Sequence, residues 1–230
     1  MANYKHIYFD LDRTLWDFDM NAMDALTRVY EKFRLERYFS GPAEFIEIYH
    51  KHNDRLWDRY REGKIKKEML RSLRFGLTLN EKKVKNQELA VLIGDEYLEI
   101  SIIQNRLFPN THEILNYLAD RYELYILTNG FRETQFSKLK NCGLEKYFRF
   151  VFTSETIGYN KPHQKIFHWA VSSVNARKEE CLMIGDDQQV DIKGAREYGI
   201  DSVFFNPGNE DIITPHTYMI KDLIELKDIL

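Results

Sequence analysis

The segment His6-Ile7-Tyr8-Phe9-Asp10-Leu11-Asp12-Arg13-Thr14 sets a short apolar run directly against two acids and a hydroxyl. His6–Phe9 has the length and the branched and aromatic content of a strand buried on both faces. Asp10 then falls at the carboxyl end of that strand, with Asp12 just past it. A carboxylate beside a buried strand costs free energy unless something pairs with it. Its partners must come from elsewhere in the chain.

Beyond this segment the chain changes character twice. From about Trp16 to Leu107 the text is helical. In the stretch starting at Pro42, the residues Phe45, Tyr49, His52, Leu56 and Tyr60 recur at three-to-four spacing, one face of an amphipathic helix ending near Gly63. Further helices are expected at Asn21–Phe33, Lys66–Phe75 and Glu81–Ile102. From Pro109 onward, strands at Leu124–Thr128, Phe150–Thr153, Cys181–Ile184 and Ser202–Phe205 alternate with helices. Those helices are expected at Thr111–Arg121, Arg132–Cys142, Gln164–Val174 and Val190–Tyr198, and Gly143 and Gly199 sit where C-cap glycines do. Alternation of this kind predicts an α/β fold with a parallel sheet and right-handed crossovers. The expected division is a Rossmann-like core from 1–15 and 108–230, interrupted by an all-helical domain at 16–107.

The totals narrow the function class. With 230 residues the chain suffices for one full core and a smaller lobe. A formal net charge of −3 gives no basic excess to hold a nucleic-acid polymer by counterion release. The N-terminus lacks a basic-then-apolar leader and no apolar run approaches a membrane span, so the expectation is a cytoplasmic protein away from membranes. The two cysteines, Cys142 and Cys181, form no C-x-x-C pair, and His50 and His52 do not share a helix face. A zinc site is not expected.

Ligands of open parallel sheets bind outside the carboxyl ends of the strands. Following each expected strand to that edge collects Asp10 and Asp12, then Thr128-Asn129-Gly130, then Lys161-Pro162, then Gly185-Asp186-Asp187 with Asp191 beyond. Carboxylates gathered this closely repel one another, and a hard cation among them makes the arrangement sensible. Mg2+ takes oxygen ligands and leaves room for a phosphate oxygen. The residue types suit phosphoryl chemistry. Asp10 is expected as nucleophile and Asp12 as general acid and base on the leaving oxygen and then on water. Thr128 and the Asn129 amide are expected on phosphoryl oxygens, and Lys161 as the neutralising cation. Asp186 is expected in the metal shell with Asp10 and Asp12, and Asp187 or Asp191 beside it.

These residues resemble the four motifs of the haloacid dehalogenase superfamily, here FDLDRT (Phe9–Thr14), LTNG (Leu127–Gly130), NKP (Asn160–Pro162) and GDDQQVD (Gly185–Asp191). The resemblance covers the whole chain, and it implies that the helical insert is a cap closing over the site. It implies the same roles for Asp10, Asp12, Thr128, Lys161 and Asp186, with Asp12 binding Mg2+ through its backbone carbonyl. Arg13 departs from the glycine found in many members. Superfamily dehalogenases lack the second aspartate, because a leaving halide needs no proton while a leaving alkoxide does. Asp12 therefore favours a phosphatase acting on a small phosphate ester.

The stretch Leu15–Asp19 and the insert's Leu56-Trp57-Asp58-Arg59-Tyr60 resemble the pyrimidine 5′-nucleotidase branch. That resemblance implies a nucleoside 5′-monophosphate substrate, with Trp16, Phe18, Asn53 and Trp57 as candidate base contacts. A sugar phosphate, flavin mononucleotide or a phosphomutase reaction would use the same core. A phospho-accepting signalling module is a different class, but it carries its acceptor on a later strand and has no large insert. No apolar seam stands out, so a monomer is expected.

Overall fold

Strand β1 (His6–Phe9) lies at the centre of the sheet in the computed structural model, which describes residues 3–230. It is flanked by β2 (Glu123–Thr128) and β4 (Cys181–Gly185), with β3 (Phe150–Thr153), β5 (Asp201–Phe205) and β6 (Tyr218–Ile220) outside them. The order is β3-β2-β1-β4-β5-β6 and every pairing is parallel. Phe9 is in register with Ile126 on one side and Ile184 on the other, so three strands end level with Asp10. The α/β, Rossmann-like reading holds.

The pleat explains why these strands read as continuous apolar runs. Ile7, Phe9, Leu124, Ile126, Leu182 and Ile184 point to one face, where Ile114, Leu115 and Leu118 of α5 (Thr111–Ala119) pack with Leu139. Tyr8, Tyr125, Leu127 and Met183 point to the other, against Ile166, Phe167 and Ala170 and against Ala195 and Tyr198. Both faces are covered, as parallel sheets require.

The chain divides into two compact units, one holding the sheet and Asn105–Leu230, the other Asp19–Gln104. Trp16 and Phe18 belong to the sheet unit, because the outgoing and returning crossings pair with each other. Trp16 bridges Leu107 antiparallel, and the Asp17 N–H donates to the Arg106 carbonyl at 3.1 Å. The second unit contains most of α1 (Phe18–Lys32), then α2 (Pro42–Arg61), α3 (Lys67–Glu81) and α4 (Gln87–Ile103). Its core gathers Leu26, Val29, Phe45, Tyr49, Phe75, Ile93 and Tyr97.

Two expectations need correction. The helix expected to stop at Phe75 runs on to Glu81, through Gly76, whose missing side chain leaves space beside Ala90. The true break is set by Asn86, whose side chain accepts from the Leu89 N–H at 2.9 Å and caps α4. Strand β6 was not expected. Its three residues are too few to carry a period-2 pattern, and its pairing with β5 supplies the order instead.

At the opposite end of the strands, Glu180 is buried between the Lys5 ammonium at 2.6 Å and the Arg177 guanidinium at 2.7 Å. Hydrogen bonds from Arg177 and then Lys5 hold its carboxyl down at about 2, from an ordinary 4.5. A depressed folded-state pKa stabilises above the unfolded value and is lost as pH falls through the folded one. Stability measured by urea unfolding should therefore drop as pH is lowered from about 4.5 towards 2, and Glu180→Gln should flatten that slope.

Candidate active site

Lys161 is the hub. Its ammonium is 1% exposed and lies 2.6 Å from Asp10 Oδ1, 2.7 Å from Asp191 Oδ1 and 2.6 Å from the Leu127 carbonyl. Burial alone would lower its pKa, but the carboxylates of Asp10 and Asp191 overrule it and hold the group charged. Asp10 is held at the strand end by its N–H donating to the Ile184 carbonyl at 2.9 Å. Its carboxyl is pushed up by burial, with Lys161 opposing and Asp191 adding to the rise.

Asp10, Asp186 and Asp191 each bring a carboxylate oxygen within 4.8 Å of the others. Lost solvation and then Asp191 and Asp10 push Asp186 up, while Arg13 opposes. The Thr14 hydroxyl donates to Asp186 Oδ1 at 3.0 Å. Three oxygen donors against one ammonium leave net negative charge at low polarity, and a hard divalent cation fits that donor set.

Asp187 and Asp191 are placed differently. Asp187 Oδ1 accepts from the Gln189 and Val190 N–H groups at 2.8 and 3.0 Å, capping the turn Gln188–Ile192 that leads into the helix Lys193–Tyr198. Asp191 lies one turn further on and reaches back into the cluster. Gly185 makes room for it, since a Cβ there would stand 2.3 Å from Asp191 Oδ2.

Thr128 ends β2 with its hydroxyl oxygen accepting from the Gly130 N–H at 3.0 Å and from Gln135 Nε2 at 2.9 Å. Gln135 also donates to Asp12 Oδ2 at 2.7 Å, and Lys138 pairs with Asp12 Oδ1. Gln135 and Lys138 lie on α6 (Arg132–Asn141) and are both buried. Asn129 also has a structural task. Its side chain is committed to the Lys161 backbone, accepting the N–H at 2.7 Å and donating to the carbonyl at 3.0 Å. It orients the lysine backbone through both of its side-chain polar atoms.

Trp16 is also corrected as a base contact. It is fully buried in the sheet core, with the Lys138 ammonium 3.8 Å from its ring centroid. Phe18 carries the Arg13 guanidinium over its ring at 4.5 Å. Arg13 takes a left-handed φ of 62°, a conformation that glycine adopts at lower cost. In the helical unit, Asn53 is buried and accepts from the Tyr49 hydroxyl at 3.3 Å, whereas Trp57 is half-buried, edge-on to Tyr60.

Thr14, Gln135 and Lys138 were not singled out from the sequence. For the α6 pair a signal existed: polar residues three apart, directly after Thr128-Asn129-Gly130, on a helix that must bury one face.

Gly185→Ala forces the Asp191 carboxylate aside and should lower unfolding free energy by about 1–3 kcal/mol in urea titration. Gly208→Ala, where a Cβ meets nothing within 4 Å, should stay within about 0.5 kcal/mol.

Comparison with known proteins agrees with this geometry. The model of the haloacid dehalogenase-like hydrolase family matches residues 4–199. Pyrimidine 5′-nucleotidase PynA of Streptococcus pneumoniae is 30% identical over 98% of this chain and 95% of its own. Pyrimidine 5′-nucleotidase YjjG of Escherichia coli is 29% identical over 97% and 96%. A crystal structure of the HAD-hydrolase YfnB of Bacillus subtilis, bound to magnesium, superposes with a TM-score of 0.89 at 29% identity, covering 99% of this chain and 98% of that one. With the matched model spanning all four motifs and both acid-bearing turns, the chain belongs to the haloacid dehalogenase-like hydrolases.

Proposed function

We propose that this hydrolase is a magnesium-dependent phosphatase that cleaves a nucleoside 5′-monophosphate, preferably a pyrimidine one, through an aspartyl-phosphate on Asp10. The observation that carries the reading is the convergence of the Asp10, Asp186 and Asp191 carboxylates on Lys161 at the sheet edge. The names of PynA and YjjG supply the substrate class.

Asp10, Asp186 and Asp191 would hold the ion through side chains and Asp12 through its carbonyl. Asp187, capping its turn, would hold the segment that carries Asp191. When bound, Mg2+ supplies Lewis-acid polarisation of the phosphoryl group and offsets the carboxylate charge. Asp10 attacks phosphorus while Lys161 draws charge off the nucleophile and the equatorial oxygens. Thr128 donates to one of those oxygens. Asp12 delivers a proton to the departing ester oxygen, then takes one from the water that hydrolyses the acyl phosphate. Asp12 is what separates this chemistry from carbon–halogen cleavage.

Phosphate release should depend on added Mg2+ and fall to background in excess EDTA. Asp10→Asn should lower kcat on the order of 10⁴-fold or more. A panel of uridine, thymidine, adenosine and guanosine 5′-monophosphates, ribose 5-phosphate and flavin mononucleotide tests the substrate. Equal kcat/KM for ribose 5-phosphate and the nucleotides would remove the nucleotide assignment. No release from any monoester would remove the phosphatase.

A further inference from the structure

We infer that Gln135 and Lys138 of α6 are positioning residues for the reaction, which fix the Asp12 carboxylate and turn Thr128 into an obligate donor. The inference rests on the phosphatase reading and deepens it.

Hydrogen-bond accounting carries the argument. The Gln135 side-chain amide has two hydrogens, one spent on Asp12 Oδ2 at 2.7 Å and the other on Thr128 Oγ1 at 2.9 Å. Both bonds run from the same nitrogen, so the amide offers its hydrogens to Asp12 and Thr128 together. Thr128 Oγ1 receives the Gly130 N–H as well, at 3.0 Å. With both lone pairs engaged, the hydroxyl hydrogen can only be given away, which is what a phosphoryl oxygen requires.

Asp12 is gripped at both oxygens, Oδ2 by Gln135 and Oδ1 by the Lys138 ammonium. Lys138 is itself clamped, 4% exposed, with its Nζ over the Trp16 ring at 3.8 Å and the Phe18 ring at 5.8 Å. A flexible lysine held by two rings and a carboxylate loses its rotamer freedom, and passes that rigidity to Asp12. Gly130 belongs to the same device, since a Cβ there would lie 1.7 Å from Gln135 Nε2.

The arrangement is not one that stability alone rewards. Gln135 is fully buried, and its Oε1 has no hydrogen-bond partner among the described residues. An orphaned buried carbonyl is a cost that the two N–H bonds offset only in part. The amide is placed for Asp12 and Thr128 and not for itself.

In the step concerned, the bond from phosphorus to the ester oxygen breaks as the bond to Asp10 forms, and Asp12 passes its proton to the departing oxygen. An alkoxide needs that proton, whereas p-nitrophenolate leaves without it. Loss of Asp12 positioning is therefore read as a leaving-group effect in kcat/KM, which reports steps up to formation of the phospho-enzyme.

The experiment compares kcat/KM for the fastest alkyl monoester of the panel with that for p-nitrophenyl phosphate, in the Mg2+-loaded full chain. Asp12→Asn calibrates the signature. Lys138→Met, which touches Asp12 and not Thr128, should reduce the alkyl value about tenfold or more beyond the aryl value. Gln135→Met should show the same selective loss plus a KM rise common to both substrates. Lys138→Gln retains a donor to Asp12 and should recover part of the difference. It also replaces the methionine variant should that one unfold below assay temperature. Equal losses on both substrates in the folded variants would overturn the inference while leaving Asp12→Asn, and the phosphatase reading, intact. If Asp12→Asn shows no leaving-group selectivity, the inference falls together with the acid role of Asp12, while turnover of the monoesters still upholds the phosphatase reading.

Discussion

One ammonium group organises the sheet edge. Lys161 Nζ bonds to Asp10 just past β1 and to the Leu127 carbonyl of β2, and it pairs with Asp191 from the turn after β4. A lysine this deeply buried is tolerated only because carboxylates surround it, and these carboxylates sit this close together only because the lysine does. Taking away one member of a buried pair typically costs about 3–5 kcal/mol, since the other is left charged and dry. The same contacts that make the edge stable thus aim the acids at a common point.

Glycine and asparagine serve that arrangement as spacers and guides. Gly185 is small because Asp191 must pass close to the strand. Asn129 imitates a strand partner for the Lys161 backbone, and Asp187 spends its carboxylate on two backbone donors. Each supporting residue is defined by what it holds in place.

Much of this is legible in the text of the chain, for a physical reason. Strands buried on both faces must be apolar throughout, so His6–Phe9 and Cys181–Ile184 announce themselves, and any acid after them stands out. Parallel order follows from the intervening helices. What stayed hidden depends on contacts between distant residues. Trp16 and Phe18 read as ring faces for a ligand, yet in the fold those faces meet Lys138 and Arg13. No local pattern separates a ring that stacks on a base from one that holds a cation. Gln135 and Lys138 were passed over because polar residues on a helix default to solvent, and only the tertiary partners, Asp12 and Thr128, reverse that.

The pairing of Trp16 with Leu107 and of Asp17 with Arg106 has a wider consequence. The chain leaves the sheet and rejoins it through adjoining, mutually bonded crossings. To the sheet, everything spliced between them is one long loop whose ends are already tied, and closure entropy rises only slowly with loop length. A differently sized or differently shaped module could be grafted at that seam with little effect on the strands or the acids beyond them. The edge that carries the acids and the module spliced into the chain can then diverge as separate parts of one gene product.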